Sequence, residues 1–332
     1  MLEHGGALRA AAARYGIPLS DWLDVSTGIH PQGWPVPPVP AIAWQRLPEL
    51  EDGLEAAAAA YYGTPHLLPV AGSQAAIQAL PLLREPGRTG ILHPSYAEHA
   101  HAWRRAGHAI ETLTVMELET AVDRLDVLVA VNPNNPTGLR FAPEILLRWR
   151  ERLAQRGGWL VVDEAFMDAT PDDSLTGHIG LPGLIILRSL GKFFGLAGAR
   201  VGFVLAESAV RERLQDALGP WTVSAPARWV ATQALSDRRW QEEMRSQLPL
   251  LGTRLAELLK RQRLPVTGGT ALFQWIPLPE AEFWQEALAR RGILVRRFIN
   301  PPGLRFGLPD SELAWRRLEG ALTGVRAERL TQ

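Results

Sequence analysis

Residues 184–202 read LIILRSLGKFFGLAGARVG. The first four are an apolar run that predicts a buried strand, and Lys192 follows its carboxyl end among glycine and apolar residues. Partial desolvation there would favour the neutral, nucleophilic amine that imine chemistry requires. A solvated loop lysine is the ordinary alternative, but Ser189 and Arg200, on either side of it, both suit a bound phosphate. The stretch therefore predicts a strand edge that carries a reactive lysine.

The sequence around this stretch alternates between short apolar runs and amphipathic helices. The runs predicted as strands include residues 90–93, 127–131, 159–162, 184–187 and 201–205. This alternation indicates an α/β fold with a mainly parallel central sheet and helices on both faces. Beyond Pro220, charged helices and a few strands indicate a smaller α+β domain, with a long helix at 228–263 broken at Pro249.

The change of character near Pro220 also predicts the domain boundaries. We predict a large α/β domain at residues 36–218 and a small α+β domain at residues 219–332. A proline-rich connector precedes the large domain, and we expect the N-terminal segment, residues 1–35, to join the small domain.

The composition excludes several classes of protein. The 35 Lys and Arg residues balance the 35 Asp and Glu residues, and no segment concentrates one sign, so we expect no nucleic-acid partner. Neither a signal-peptide pattern nor an apolar run that spans a bilayer is present, so we expect a cytoplasmic protein without a membrane partner. The absence of cysteine excludes disulfides and thiolate chemistry. We predict no metal site, because the spacing of four neighbouring histidines is unremarkable: His93, His99, His101 and His108.

Three further elements carry candidate chemistry. Gly72-Ser73-Gln74 opens a predicted helix, where backbone N–H groups and the Ser73 hydroxyl form a phosphate site, although serine is also an ordinary helix cap. Asn135 follows the strand at 127–131 within a rigid Asn-Pro turn. Asp163 ends the strand at 159–162, where a carboxylate can cap a helix, form an ion pair or keep a ring nitrogen protonated.

In this order and spacing, the four elements resemble the fold-type I aminotransferase superfamily of pyridoxal-phosphate enzymes, over nearly the whole chain. The resemblance implies that Lys192 binds pyridoxal 5'-phosphate as an imine and that Asp163 faces the pyridine nitrogen. It implies Asn135 at the phenolic oxygen of the ring and Tyr96 stacked on the ring. Around the cofactor phosphate it implies Ser73, Gln74, Ser189 and Arg200. It also implies a homodimer.

Two positions depart from the usual pattern of this superfamily. Phe166 stands where a tyrosine usually donates a hydrogen bond to the phenolic oxygen. Leu47 stands where relatives often have a tyrosine that reaches the cofactor phosphate of the neighbouring subunit. Either other groups replace these tyrosines or the cofactor is bound less tightly than in a typical aminotransferase.

The N-terminal residues resemble one family within this superfamily. His4-Gly5-Gly6, followed by WLDVSTGIHP at residues 22–31, resembles the threonine-phosphate decarboxylases of cobalamin biosynthesis. This resemblance implies decarboxylation of L-threonine O-3-phosphate to (R)-1-amino-2-propanol O-2-phosphate. His4 would bind the substrate phosphate, and Arg305 would pair with the substrate carboxylate, for which a planar guanidinium is suited. The predicted substrate-binding residues are His4, Gly28, Arg296 and Arg305, with Arg297 as the alternative to Arg296 at the substrate phosphate.

Two other functions stay open on the sequence alone. A histidinol-phosphate or related aminotransferase would share residues 189–202 and differ mainly in the first thirty residues, although Phe166 and the His4 motif argue against it. A catalytically silent relative would bind the cofactor or a partner through the same fold. The retained Lys192, Asp163 and Asn135 argue against that function.

Overall fold

The computed structural model describes residues 4–330 of the 332-residue chain, which form two compact units. The larger unit comprises residues 34–135 and 139–245, and the smaller comprises residues 4–33, 136–138 and 246–330. The sequence places the start of the small domain at residue 219, whereas the larger unit continues to residue 245. Two arginines tie this stretch to the larger unit. The Arg228 guanidinium donates to Asp52 and to Glu55, both at 2.6 Å, and Arg245 Nη2 donates to Tyr61 OH at 3.1 Å.

The bounds of the regular elements define the frame of the site. Within residues 4–330 the strands are, in chain order, β1 (Leu23–Asp24), β2 (Leu67–Val70), β3 (Arg88–Leu92), β4 (Ala109–Leu113), β5 (Val127–Val131), β6 (Trp159–Asp163), β7 (Leu184–Ser189), β8 (Gly202–Leu205), β9 (Gly268–Thr270), β10 (Phe273–Pro277), β11 (Ile293–Leu294), β12 (Arg296–Ile299) and β13 (Pro302–Gly307). The α-helices are α1 (Leu8–Tyr15), α2 (Ile42–Gln45), α3 (Leu54–Tyr62), α4 (Ser73–Ala79), α5 (Ala97–Arg105), α6 (Val115–Ala121), α7 (Pro143–Ala154), α8 (Ser208–Leu218), α9 (Ala225–Ser236), α10 (Arg238–Arg261), α11 (Ala281–Ala289) and α12 (Glu312–Leu330).

The larger unit is built on a seven-stranded sheet in the order β2-β8-β7-β6-β5-β3-β4. The neighbours from β7 through β4 are parallel, and β8 is antiparallel to both β7 and β2. This arrangement confirms the predicted α/β class with a mainly parallel sheet. Every residue of β5, β6 and β7 is buried, as expected for apolar strands in the middle of a parallel sheet.

The smaller unit contains a four-stranded antiparallel sheet in the order β12-β13-β10-β9. A separate parallel pair joins β1, near the N-terminus, to β11. The turn at residues 136–138 belongs to this unit because it packs on β9. The two backbones are so close that a side chain on Gly138 or on Gly268 would not fit between them. A Cβ on Gly138 would lie 2.2 Å from the Gly269 carbonyl oxygen, and one on Gly268 would lie 2.2 Å from the Thr137 carbonyl oxygen.

The predicted helix break at Pro249 is wrong. Pro249 lies inside α10, and the interruption falls at Asp237, between α9 and α10. Asp237 has a non-helical ψ of 75°, and its Oδ1 accepts the backbone N–H of Trp240 at 3.1 Å, which caps the first turn of α10. Its Oδ2 accepts Trp34 Nε1–H at 3.0 Å. The side chain that ends one helix and caps the next therefore decides the break, rather than the proline.

Candidate active site

Three adjacent strands end at the same edge of the seven-stranded sheet. In the parallel register Val131 of β5 pairs with Asp163 of β6, and Asp163 pairs with Leu187 of β7. Asn135 follows β5 by four residues and Lys192 follows β7 by three. Because parallel strands bring their carboxyl ends to one edge, residues far apart in the sequence meet there.

The pocket at this edge has a volume of about 110 Å³. Lys192 and Asp163 both line it. So does Phe166, whose ring centroid lies 5.5 Å from Lys192 Nζ. All eight residues predicted to surround a cofactor line this one pocket: Ser73, Gln74, Tyr96, Asn135, Asp163, Ser189, Lys192 and Arg200.

The Asp163 carboxylate is buried and held through both oxygens. His99 Nε2 lies 2.9 Å from Asp163 Oδ2, and the backbone N–H of Ala165 donates to Oδ1 at 3.0 Å. His99 is 1% exposed and Asp163 is 3% exposed, so water does not compete for this pair. With the proton on Nε2, His99 donates to the carboxylate and fixes its orientation.

His99 is a site residue that the sequence analysis missed, because it was grouped with the scattered histidines of its region. One signal was present: His99 follows Tyr96, a predicted site residue that directly precedes α5, by three residues. The rings of Tyr96 and His99 meet edge to face with centroids 6.0 Å apart. His108, another of these histidines, instead contacts the Pro81 carbonyl oxygen at 3.0 Å.

A chain of side-chain hydrogen bonds orients the Tyr96 ring. Tyr96 OH donates to Gln74 Oε1 at 3.2 Å, and Gln74 Nε2 donates to Glu98 Oε2 at 2.8 Å. Gln78 Nε2 donates to the same Glu98 oxygen at 3.2 Å. The side chain of Gln74, predicted beside a phosphate, therefore contacts Tyr96, which lines the pocket, and Glu98.

Part of the pocket lining is suited to an anion. Ser73, Ser189 and Arg200 bring two hydroxyls and one guanidinium to it. Arg200 has a left-handed backbone with φ of 55° and donates from Nη1 to the Ala197 carbonyl oxygen at 3.2 Å. Gly72, with φ of 70°, lies against this guanidinium, since a Cβ there would be 2.7 Å from Arg200 Nη2. Hydroxyl donors around a permanent cation form the ordinary chemistry of a phosphate site.

Behind the pocket lies a buried ionic cluster that the sequence analysis also missed. Arg188 directly precedes Ser189, and its guanidinium donates to Glu164 and to Asp168, both fully buried. Burial raises the pKa of Glu164. Burial alone would lower the pKa of Arg188, but the charges of Asp168 and Glu164 hold it well above its usual value. The cluster joins the end of β7 to the segment that follows β6.

The predicted substrate-binding residues belong to the smaller unit. His4 is exposed and Gly28 is buried. Arg296 of β12 and Arg305 of β13 are directly opposite each other in the antiparallel register, so their side chains leave the same face of the sheet. Arg305 is buried and donates from Nη2 to the Ser26 carbonyl oxygen at 2.8 Å.

Among residues 4–330 no group of three or more His, Asp or Glu side chains is arranged to hold a metal ion. In the same part of the chain, no helix has the length and apolar character needed to cross a membrane.

Leu47 is the other position, besides Phe166, that departs from the superfamily pattern, and it is 64% exposed.

Comparison with known proteins gives consistent matches. The family model of aminotransferase class I and II matches residues 47–314. A threonine-phosphate decarboxylase of Pseudomonas aeruginosa is 57% identical over 326 residues, covering 98% of each chain. A second one, from a Sinorhizobium species, is 42% identical and covers 97% of each chain. The solved structure of a histidinol-phosphate aminotransferase from Sinorhizobium meliloti, in complex with pyridoxal-5'-phosphate, has a TM-score of 0.83 at 20% identity, covering 98% of this chain and 96% of that one. At that identity, the structural match shows the fold alone.

Proposed function

Because this chain belongs to the aminotransferase class I and II family, we propose that it is a pyridoxal-phosphate-dependent decarboxylase of L-threonine O-3-phosphate. The product would be (R)-1-amino-2-propanol O-2-phosphate, which serves cobalamin biosynthesis. The choice of decarboxylase rests on the relatives of that name, which are 57% and 42% identical to this chain over nearly its full length. The His4-Gly5-Gly6 motif at the N-terminus supports the same choice.

The residues of the pocket fit pyridoxal 5'-phosphate. This cofactor needs an amine for its aldehyde, an anion for its ring nitrogen and cationic or hydroxyl donors for its phosphate. The cofactor assignment rests on the observation that Lys192 and Asp163 line the same pocket. When bound, the cofactor accepts the electron pair left by a broken bond at the α-carbon of the substrate.

Different residues of the pocket would hold different parts of the cofactor. Lys192 Nζ would bind the aldehyde carbon, and the Asp163 carboxylate, oriented by His99, would keep the ring nitrogen protonated. Tyr96 would stack on the ring and Asn135 would donate to its phenolic oxygen. The phosphate would be bound by Ser73, Ser189 and Arg200, and by Gln74 through its backbone.

The substrate would be oriented by its two anionic groups. L-Threonine O-3-phosphate carries a carboxylate and a phosphate of about −1.5 to −2 charge at neutral pH. Arg305 would pair with the carboxylate, whereas His4 and Arg296 would bind the phosphate; Gly28 would lie beside them. Holding the substrate at both ends would decide which bond at the α-carbon breaks. The substrate amine would replace Lys192 at the aldehyde carbon, and the released Nζ would return a proton to the α-carbon in place of the departed carbon dioxide.

A product assay tests the proposed reaction. Purified protein supplied with pyridoxal 5'-phosphate and L-threonine O-3-phosphate should release carbon dioxide and aminopropanol phosphate in equal amounts, measured by mass spectrometry. Transfer of the amino group from histidinol phosphate to a 2-oxo acid would instead establish the aminotransferase alternative. Absence of both reactions would leave the catalytically silent alternative.

The identity of the cofactor-binding lysine has its own test. The chain has only two lysines, Lys192 and Lys260, so each serves as the control for the other. Borohydride reduction of the loaded protein should attach the cofactor mass to the peptide that contains Lys192. Lys192→Ala should abolish the adduct and the visible absorbance of the bound cofactor, whereas Lys260→Ala should keep both. An adduct on Lys260 would contradict the assignment.

We also propose a homodimer. The larger unit leaves apolar side chains exposed around one groove of about 390 Å³, which Leu50 and Trp221 help to line. Trp44 and Trp221 are 70% and 59% exposed, which is unusual for tryptophan on a free surface. Sedimentation equilibrium should give about twice the chain mass of 36.6 kDa, and Trp221→Glu should lower the measured mass.

The cytoplasmic location stays a proposal from the sequence, testable by cell fractionation.

A further inference from the structure

The N-terminal motif is attached to one residue of the smaller unit. Residues 4–6 have no helix or strand, yet the backbone N–H of Gly6 donates to Ser26 Oγ at 2.7 Å. Gly5 packs on the same residue, because a Cβ there would lie 2.4 Å from the Ser26 carbonyl oxygen. Gly6 has φ of +82°, which side chains disfavour. Gly5 is therefore required by the lack of space beside Ser26, and Gly6 is required by its positive φ.

Ser26 is 1% exposed, and its hydroxyl both donates and accepts a hydrogen bond. Ser26 Oγ–H donates to Asp24 Oδ1 at 2.6 Å, and the Ser26 backbone N–H donates to the same oxygen at 2.8 Å. A serine hydroxyl has one proton to donate, so the bond to Asp24 turns an oxygen lone pair toward the N–H of Gly6. Asp24 therefore determines how Ser26 receives the N-terminal segment.

The same serine also receives Arg305. Arg305 Nη2 donates to the Ser26 carbonyl oxygen at 2.8 Å, and the guanidinium carbon lies 5.2 Å from the centre of the Phe273 ring. The strand that carries Arg305 is tied to the segment around Ser26, because the N–H of Gly307 donates to the Val25 carbonyl oxygen at 2.7 Å. Ser26 thus contacts the N-terminal motif through its hydroxyl and Arg305 through its carbonyl.

We propose that Ser26, oriented by Asp24, is a positioning residue that fixes His4 and Arg305 relative to each other for recognition of a phosphorylated amino acid. This inference rests on the proposed function. His4 precedes Gly6 by two residues, and two residues of extended chain span about 7 Å, so anchoring Gly6 confines His4 to the neighbourhood of Ser26. The spacing between phosphate-binding and carboxylate-binding groups would then match one length of substrate.

The test combines amide exchange with kinetics. Ser26→Ala removes the hydroxyl and keeps the carbonyl that receives Arg305, so hydrogen–deuterium exchange at Gly6 should accelerate about fivefold to tenfold. KM for L-threonine O-3-phosphate should rise by about the same factor, while kcat changes less than about twofold. Asp24→Ala should reproduce both effects, whereas Asp24→Asn keeps an acceptor oxygen and should stay near wild type.

Two controls make each outcome decisive. Ser20→Ala removes an exposed hydroxyl of the same unit, bonded only locally to Asp21, and should change neither measurement. The double variant His4→Ala/Ser26→Ala should have the KM of His4→Ala alone if Ser26 acts through His4. Unchanged Gly6 exchange in Ser26→Ala, or faster exchange with an unchanged KM, would overturn the proposal. Exchange needs no substrate, so a wild-type protein that released no carbon dioxide would refute the proposed function separately.

Discussion

Replacing His99 with phenylalanine tests whether the buried pair of His99 and Asp163 supports the site. The change removes the 2.9 Å hydrogen bond from His99 Nε2 to Asp163 Oδ2 and keeps a ring in a position that is 1% exposed. A hydrogen bond to a buried charged group contributes about 1.5–3 kcal/mol. The cavity contribution is small, because the two side chains are close in volume. Asp163 keeps only the N–H of Ala165 on its other oxygen.

We therefore expect His99→Phe to lower the free energy of unfolding by about 1.5–3 kcal/mol, measured by denaturant titration. If the whole of this energy serves to orient Asp163 in the transition state, the rate of carbon dioxide release falls by about tenfold to a hundredfold. His99→Gln returns a side-chain N–H donor and should recover part of both losses.

The matched control is His101→Phe, because His101 is exposed and lies two residues further along the same helix. It should change the free energy of unfolding by less than about 0.5 kcal/mol. Combining His99→Phe with Asp163→Asn should give a coupling energy of at least about 1 kcal/mol in unfolding. Equal losses in His99→Phe and His101→Phe, or no loss in either, would refute the reasoning.

Three other predictions follow from the same structure. Burial lowers the pKa of His30 to about 4, so the folded protein should lose up to about 3 kcal/mol of stability as pH falls from about 6.5 to about 4. Urea titrations at pH 7 and pH 4 should show a smaller loss in His30→Gln. Arg188→Met leaves the carboxylates of Glu164 and Asp168 buried without their cation. It should lower the free energy of unfolding, measured by chemical denaturation, by about 3–5 kcal/mol. Gly72→Ala would strain a backbone with φ of 70° and would place a Cβ against the Arg200 guanidinium. We therefore expect equilibrium dialysis to show about tenfold weaker binding of pyridoxal 5'-phosphate.

Each of these predictions has a control within the chain. The triple variant Arg188→Met/Glu164→Gln/Asp168→Asn should recover most of the stability lost by Arg188→Met alone. Gly63→Ala shares the positive φ of Gly72 but has open space around its Cβ, so it should leave cofactor affinity unchanged. Equal affinity losses in the two glycine variants would mean that strain in the backbone, rather than the clash, weakens binding. A His30→Gln variant as sensitive to acid as wild type would assign the acid lability to other groups.

The sequence predicted the central elements closely where the pattern is local. The strand at residues 127–131 has the predicted bounds, since a run of apolar β-branched residues specifies one structure. The strand at Ala109–Leu113 was not predicted, because its half-exposed pattern Ala-Ile-Glu-Thr-Leu at the sheet edge lacks an apolar run. The second contact of Asp237 was not predictable, because its Oδ2 accepts from Trp34, which is 203 residues away.

The sequence by itself determined the fold class, the order of the elements and the chemistry available after each strand, including Lys192 after β7 and Asp163 at the end of β6. These features depend on residues that are neighbours along the chain. Only the tertiary structure decided that His99 holds Asp163, that Arg188 joins two buried carboxylates and that Ser26 contacts both Gly6 and Arg305. The partners in these contacts are up to 279 residues apart, and a single polar side chain carries no periodic signal of its distant partner, so packing alone selects it.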